Sequence, residues 1–418
     1  MIKLSSSAYE LVANAEVKLQ SKFAEIDKVN EENTLKVLNA FIKNRVEVRH
    51  FAGTTGYGYD DAGRDCLNKI CADIMHTEDA IFSPQLSSGT QAISQALLGI
   101  LRPDDTIYSI SGIPYDTLQK VIYGEEGKDI GSLKDYNIKF EYCDLIDNNF
   151  DLKTIENYML KVKPTAVYIQ RSRGYVFRDA LTITQIEKAI KLVKDINPAT
   201  IVIVDNCYGE LTETREPTDV GADLVIGSLI KNLGAGIAPS GAYVAGKKWL
   251  VERISYRMTS PALGNETGSY EAGYKAFYQG LFLASNVVAS AKKGALLTSQ
   301  IFRDFGYETL PSENVCQSDI VACIKFADKN KLIEFCRAIQ HSSPIDSNAV
   351  VEPCDMPGYE NQVIMASGSF NQGSSIELSC DAPIREPFIA YIQGGLTYAH
   401  YKIALINSLS LCDYTIKK

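Results

Sequence analysis

The sequence has little of what metal-binding and disulfide-bonded proteins need. Only four histidines occur among 418 residues, and no two lie at the spacing of paired metal ligands. The ten cysteines are scattered without a CxxC pair, whereas disulfide frameworks belong mainly to short secreted chains. We therefore expect reduced, packed cysteines and no metal site.

Clustered positive charge and long apolar runs are also lacking. The chain has 42 Lys and Arg residues against 51 Asp and Glu residues, a formal net charge of −9. This excess argues against nucleic-acid binding, because phosphate backbones are bound by clustered Lys and Arg. No stretch approaches the roughly 18 apolar residues of a membrane span, and the N-terminal segment lacks the apolar core of a secretory signal. A cytoplasmic protein with no nucleic-acid or membrane partner is expected.

What the sequence does contain, from about residue 66 to 250, is an alternation of strand and helix patterns. The segments "TIVIVDNCYG" and "ADLVIGSL" are rich in Ile, Val and Leu without alternation, which is typical of strands buried on both faces. Between such strands, "SGTQAISQALLGIL" and "TITQIEKAIKLVKDI" have the apolar spacing of helices. The pattern predicts an α/β domain with a mostly parallel sheet flanked by helices.

Four segments are predicted along the chain. Residues 1–50 have the pattern of two amphipathic helices, an arm that packs on the body or on a partner subunit. Residues 51–265 form the α/β domain, 266–303 a long connecting helix, and 304–418 a smaller α+β domain. In this last domain "SDIVACIKF" and "SSIELSCDAP" are predicted strands. The segments "KNKLIEFCRAIQ" and "IREPFIAYIQGGLTYAHYKIALINSL" are predicted to be helical.

Three short stretches carry residues suited to chemistry. In "LSSGTQAIS", Ser88, Gly89 and Thr90 open a helix, whose free N–H groups and dipole attract anions such as phosphate. Asp205, in "IVIVDNCYGE", lies at the carboxyl end of a predicted strand, where α/β sheets bind ligands. Lys231, in "GSLIKNLGAG", follows the next strand. A lysine in a partly desolvated cleft has its charged form disfavoured and can act as an amine nucleophile.

Each stretch alone also fits an ordinary structural role. Ser88 can be a helix N-cap, Asp205 can cap the next turn, and Lys231 can extend to solvent. Together, a phosphate site, an aspartate for a pyridinium nitrogen and a lysine for a Schiff base are the parts of a pyridoxal phosphate enzyme. Tyr115, in "GIPYDTLQ", adds an aromatic ring that can stack on a flat cofactor.

With these motifs, and with "GTTGYGYDDAGRD", "IQRSRGY" and "APIREPFIAYIQGGLTYAH", the whole chain resembles the fold-type I pyridoxal phosphate (PLP) enzymes of cysteine and methionine metabolism. This group includes methionine gamma-lyase and the cystathionine lyases. The chain is most similar to the branch described as carbon–sulfur lyases involved in aluminium resistance. The resemblance implies a PLP-dependent transferase-like large domain with a mostly parallel seven-stranded sheet, and a small α+β C-terminal domain. It also implies a homodimer with shared active sites, or a tetramer.

The resemblance further implies a role for each matching residue. Lys231 binds the cofactor covalently, Asp205 holds its protonated pyridine nitrogen, and Tyr115 stacks on its ring. Tyr59, in the "GYGY" loop, matches a tyrosine that reaches into the active site of the neighbouring subunit. The residues matched to the phosphate are Ser88, Gly89, Thr90 and Ser228.

The chain departs from the lyases two positions after that tyrosine. The lyases have a phosphate-binding arginine there, whereas this chain has Asp61, and its nearest arginine is Arg64. Either Arg64 substitutes for the missing arginine or the phosphate has one cation fewer.

The substrate carboxylate has three candidate partners. Arg385, in "APIREP", is the first, because a guanidinium binds a carboxylate through two parallel hydrogen bonds. Arg171 and Arg173, in "QRSRGY", are the others, and either can instead bind the ring oxygen of the cofactor.

The expected activity is abstraction of an α-proton and β- or γ-elimination from a sulfur-containing amino acid, to give an oxo acid, ammonia and a thiol. Because one fold hosts many chemistries, an aminotransferase, an aldol-type enzyme and a non-catalytic PLP-binding protein stay as alternatives. A nicotinamide dehydrogenase is not favoured, since "GYGYDDAG" does not fit GxGxxG and does not follow a strand.

Overall fold

The computed structural model describes residue 2 and residues 4–313, 315–356 and 359–414. The helices in this part of the chain are α1 (Ser6–Lys43), α2 (Ala62–Ile74), α3 (Gly89–Ile100), α4 (Asp116–Tyr123), α5 (Leu152–Val162), α6 (Ile183–Ile196), α7 (Lys248–Met258), α8 (Lys275–Asp304), α9 (Lys329–His341) and α10 (Tyr398–Leu411). The first seven strands are β1 (Asp79–Ser83), β2 (Thr106–Ser109), β3 (Lys139–Tyr142), β4 (Ala166–Gln170), β5 (Ile201–Asp205), β6 (Leu224–Ser228) and β7 (Ala242–Gly246). The remaining strands are β8 (Glu308–Leu310), β9 (Val321–Lys325), β10 (Val363–Ser367), β11 (Ser379–Pro383) and β12 (Ile389–Gln393).

The first seven strands form one sheet in the order β1-β7-β6-β5-β4-β2-β3. Strands β2 to β6 run parallel, and β7 is antiparallel to both of its neighbours. This confirms the predicted α/β fold with a mostly parallel seven-stranded sheet.

Both faces of this sheet are buried, as the unbroken apolar runs predict. Successive side chains of a strand point to opposite faces. Val202 and Val204 of β5 accordingly join the apolar cluster on one face, and Ile201 and Ile203 join the cluster on the other. Helices cover each face, so the strand ends are the part of the sheet left for binding a ligand.

The last five strands form a second, antiparallel sheet in the order β10-β11-β12-β9-β8. Its own core contains Leu332 and Phe335 of α9, Cys380 and Ala382 of β11, and Tyr401 of α10. The predicted small α+β C-terminal domain is confirmed.

The prediction of two helices in the N-terminal arm is wrong, because α1 is one helix of 38 residues. Its polar middle stays helical because Asn33 is buried there. The side-chain amide of Asn33 donates to the carbonyl oxygens of Leu211 at 2.9 Å and Glu213 at 3.1 Å. The start of α1, including Val12, packs in the core of the small domain, and its end, including Val37, packs on the large sheet.

Two further predicted helices are corrected. The long connecting helix begins at Lys275 rather than at residue 266, because Gly268 and Gly273 adopt φ values of 124° and 76° that interrupt a helix before it. The segment predicted as helical from "IREP" onward contains strand β12 before helix α10. The backbone N–H and C=O groups of β12 are hydrogen-bonded by its neighbours β11 and β9. The local apolar pattern of the segment does not reveal this pairing.

No helix within the described ranges is long and apolar enough to cross a membrane. The same ranges contain no group of three or more His, Cys, Asp or Glu side chains that could hold a metal ion.

Candidate active site

The carboxyl ends of β5 and β6 bring the predicted site residues together. Asp205 is the last residue of β5 and Ser228 the last of β6, and both are buried. Because these two strands are parallel neighbours, they end at the same edge of the sheet. Lys231 follows three residues after β6 ends, so its amine lies near this edge.

Asn232, the residue after Lys231, holds the turn that carries Lys231 in place. Asn232 is buried and starts a short 3-10 turn, Asn232–Gly234. Its side-chain amide donates to the carbonyl oxygen of Glu210 at 2.9 Å, which ties this turn to the one that follows Asp205.

The amine of Lys231 lies over an aromatic ring. Its Nζ is 4.2 Å from the ring centroid of Tyr208, a favourable position for a cation. Burial alone would lower the pKa of Lys231, but Cys207, Tyr208 and Asp205 outweigh it and raise the pKa well above its usual value. Burial thus disfavours the charged form, as expected, but these neighbours more than offset it.

Asp205 is held by two donors. Its Oδ1 accepts a hydrogen bond from the backbone N–H of Cys207 at 3.1 Å, and its Oδ2 accepts one from the hydroxyl of Tyr168 at 3.3 Å. A buried carboxylate with fixed donors is well placed to accept a hydrogen bond from a ligand or to pair with its positive charge.

The start of α3 lies against these strand ends. Ser88 is the N-cap of α3, and its Oγ accepts from the backbone N–H of Gln91 at 3.1 Å. A methyl group added at Gly89 would lie 3.3 Å from the Cβ of Ser228 and 3.4 Å from the Sγ of Cys207. The α3 N-terminus and Ser228 are therefore adjacent, and the glycine leaves room between them for an anion.

Tyr115 lies at the N-cap of α4 and joins the same group. Its hydroxyl is 2.9 Å from the Oγ1 of Thr90, and its backbone N–H donates to the side chain of Gln170 at 3.0 Å. Burial raises the pKa of the phenol, and the nearby Asp205 adds to this shift, so Tyr115 keeps its proton at neutral pH.

Tyr59 does not join this group within one chain. Its side chain is 54% exposed and its ring stacks on Tyr57, with centroids 5.4 Å apart. Asp61, at the position where the lyases have arginine, is buried and caps α2 by accepting from the backbone N–H of Arg64 at 3.0 Å. The side chain of Arg64 donates to Asp65 and to the carbonyl oxygen of Gly58.

Arg171 is not available to a ligand, which corrects one of the alternatives for the substrate carboxylate. It is fully buried, and its five N–H donors all have partners within the protein. The strongest contact is an ion pair of 2.7 Å with Glu213.

Arg173 and Arg385 occupy different environments. Arg173 is buried and donates to both carboxylate oxygens of Asp319, at 2.9 and 3.0 Å, so the edge of its guanidinium that would hold a substrate carboxylate is taken. Arg385 is exposed and donates to the carbonyl oxygen of Tyr175 at 3.3 Å. Burial raises the pKa of Asp116, the residue after Tyr115, and the charge of Arg385 offsets part of this rise.

Sequence reasoning missed the residues that surround Lys231. Tyr208 has a φ of 70°, a conformation unusual for a non-glycine residue, and its neighbour Cys207 lies between Asp205 and the α3 N-terminus. Both stand inside the conspicuous "VDNCYGE" stretch, which was the available signal. Glu210, in the same stretch, lies fully buried beneath β6.

Glu210 makes the stability of the protein depend on pH. Burial raises the pKa of its carboxyl to about 8, with a further contribution from Glu216, and a hydrogen bond of 3.1 Å from the hydroxyl of Tyr243 offsets only part of this. Within the described residues its Oε2 has no hydrogen-bond partner. The native protein therefore keeps a proton that the unfolded chain releases near pH 4.5.

We expect Glu210→Gln to remove this pH dependence. In the wild type the unfolded state binds fewer protons, so Glu210 lowers the free energy of unfolding by up to about 1.4 kcal/mol per pH unit as pH rises from about 4.5 to 8. Urea unfolding at several pH values measures the difference between variant and wild type, which should grow in favour of the variant over this range. Glu156→Gln, at an exposed position of α5, is the control. Parallel pH curves for wild type and Glu210→Gln would contradict the assignment.

Comparison with known proteins shows the family of the chain. Residues 8–412 match the methionine gamma-lyase family. The uncharacterized protein YnbB of Bacillus subtilis (strain 168) is 45% identical over 386 residues, which are 92% of this chain and 91% of YnbB.

Two solved structures are similar over nearly their whole length. A carbon–sulfur lyase involved in aluminum resistance from Clostridium novyi NT is 48% identical with a TM-score of 0.93, over 97% of this chain and 96% of that one. A candidate cystathionine beta-lyase involved in aluminum resistance from Clostridium acetobutylicum is 45% identical with a TM-score of 0.94, over the same shares. The chain therefore belongs to the methionine gamma-lyase family.

Proposed function

We propose that the protein is a pyridoxal phosphate-dependent lyase acting on a sulfur-containing amino acid of the cystathionine, cysteine or methionine type. Abstraction of the α-proton and β- or γ-elimination would give an oxo acid, ammonia and a thiol. The observation that carries the proposal is the presence in one cleft of the Lys231 amine, the buried Asp205 carboxylate and the N-terminus of α3.

The residues around Lys231 suit pyridoxal phosphate in charge and in hydrogen-bonding groups. The free N–H groups at the start of α3, the space left by Gly89 and the hydroxyl groups of Thr90 and Ser228 suit a phosphate group. Asp205 suits a protonated ring nitrogen, since it is a buried carboxylate with accepting capacity left beside its two donors.

The cofactor, when bound, supplies an electron sink for negative charge at the substrate α-carbon. Asp205 would accept a hydrogen bond from the ring N–H and so keep that proton in place. Tyr115 would pack on the ring with its phenolic proton retained, because its pKa is raised. Lys231 would hold the cofactor, and its amine would take the α-proton of the substrate.

Arg385 is the proposed partner of the substrate carboxylate. It is exposed at the edge of the small domain, whereas Arg173 is already paired with Asp319. A guanidinium with a free edge binds a carboxylate through two charge-assisted hydrogen bonds.

The working unit is proposed to be a homodimer with shared sites, with tetramers as pairs of such dimers. The exposure of Tyr59, whose ring stacks only on Tyr57 among the described aromatic contacts, suits a residue that completes the site of a neighbouring subunit.

Oxo acid release tests the proposed function. We expect the wild type to release an oxo acid and a thiol from cystathionine, cysteine or methionine, and Lys231→Ala to lower the rate by about 10³-fold or more, since the base and the covalent anchor are both lost. Lys188→Ala, at an exposed position of α6, is the control and should keep the wild-type rate. An oxo acid without a thiol would indicate transamination, and no oxo acid from any of the three substrates would contradict the lyase.

Substitution of the two arginines separates their roles. Arg385→Gln should lower kcat/KM by about 10- to 100-fold, mainly through KM, because a charge-assisted contact to the substrate is lost. Arg173→Gln should instead destabilise the protein by about 3–5 kcal/mol, because it leaves Asp319 buried and unpaired. Steady-state kinetics and thermal unfolding measure the two effects, with Arg337→Gln on α9 as the control. A raised KM for Arg173→Gln with unchanged stability would reverse the assignment.

A further inference from the structure

The carboxylate of Asp381 lies on the face of the small-domain sheet that is turned toward the large domain. Cys380 and Ala382 of β11 point into the core of the small domain, so Asp381 between them points to the opposite face. Tyr391 lies opposite Asp381 on β12, and Gln393 lies two residues further along, on the same face.

This face lies against the residues that surround Lys231. The rings of Tyr391 and Tyr175 are 5.2 Å apart, and Tyr175 follows β4 in the large domain. Tyr391 packs in one apolar cluster with Tyr175 and Tyr208, and the Tyr208 ring centroid is 4.2 Å from the Nζ of Lys231. Because Asp381 pairs with Tyr391 on this face, it lies on the small-domain side of the residues around Lys231.

The carboxylate of Asp381 accepts a hydrogen bond but has no ion-pair partner among the described residues. It is half-buried, and its Oδ2 accepts from the Nε2 of Gln393 at 3.0 Å. Burial raises its pKa to about 6, while the hydrogen bond from Gln393 and the charge of Lys231 limit the rise, so the carboxylate is ionised at pH 7. In the described part of the chain it forms no ion pair with a lysine or arginine.

The aromatic rings around Asp381 suit an ammonium group. Tyr175 and Tyr359 have ring centroids 5.8 Å apart, and both are electrostatically coupled to Asp381. The Tyr208 ring nearby already faces a cation, the Nζ of Lys231 at 4.2 Å. A carboxylate among tyrosine rings recognises an ammonium group through charge and cation–π contacts.

We propose that Asp381, together with Tyr175 and Tyr208, binds a second ammonium group of the substrate, on the arm that leaves with sulfur. This inference rests on the proposed function, in which the α-amino group is used to join the cofactor and is not free to reach Asp381. The preferred substrates are then thioether amino acids with an amine on the leaving arm, and Asp381 is a specificity-determining residue rather than part of the elimination chemistry.

Two thioethers of equal size test the proposal with the holoenzyme. S-(2-aminoethyl)cysteine and S-propylcysteine differ only in a terminal ammonium or methyl group, and β-elimination from either gives pyruvate, ammonia and a thiol. We expect the wild type to prefer the aminoethyl compound by about 10-fold or more, in kcat/KM and in Kd from the cofactor absorbance. Asp381→Asn should weaken binding of this compound by about 10- to 100-fold and change that of S-propylcysteine by less than about 3-fold.

Controls separate this proposal from the proposed function. Glu334→Gln removes one negative charge from an exposed position of the same domain and should leave both Kd values unchanged. Equal Kd values of the wild type for the two thioethers, or an equal loss for both in Asp381→Asn, would overturn the role of Asp381. Absence of pyruvate with a preserved preference in Kd would contradict the lyase while supporting the ammonium site.

Discussion

The parallel direction of β5 and β6 is the constraint on which the site depends. Because both strands end at the same edge of the sheet, Asp205 and Ser228 lie side by side, and the chain that leaves β6 brings Lys231 next to them. The helix that follows β1 begins at this edge too, and its glycine allows the close approach to Ser228. A buried carboxylate, an amine and an anion-binding helix end are thus placed by topology, and few side-chain contacts are needed to hold them together.

Buried ion pairs hold the segments that surround this edge of the sheet. Arg171 joins the turn after β5 to Glu213, and Arg173 joins the large domain to Asp319 near the start of β9. Such pairs add little net stability, but removing one partner is costly. Of these two pairs, Arg173–Asp319 joins the two domains and so favours one arrangement of them. That arrangement brings Asp381 of the small domain opposite Lys231.

The sequence was sufficient for the parts of the site that local patterns determine. Ser88, Asp205 and Lys231 stand at ends of segments with clear helix or strand patterns, so their positions at the sheet edge followed from the fold class. The pairing of Arg173 with Asp319 could not be predicted, because it spans 146 residues and depends on how the domains pack.

Strand β12 and the face of Asp381 were missed for a similar reason. A strand in the middle of an antiparallel sheet is stabilised by its neighbours β11 and β9, and its apolar residues also fit a helical pattern. The sharp bend at Tyr208 is likewise set by the surrounding packing, since a positive φ in a tyrosine has no sequence signature. Contacts distant in sequence therefore determine the side of the site proposed to bind the substrate, whereas local patterns determine the side proposed to bind the cofactor.

The central claim is that Lys231 is the residue to which the cofactor is joined. Borohydride reduction of the purified protein, followed by protease digestion and mass spectrometry, tests it most directly, because the reduced linkage survives digestion. The account predicts a phosphopyridoxyl group on the peptide that contains Lys231 and on no other lysine. A label on a different lysine, or an unmodified Lys231 in protein that retains bound cofactor, would contradict it.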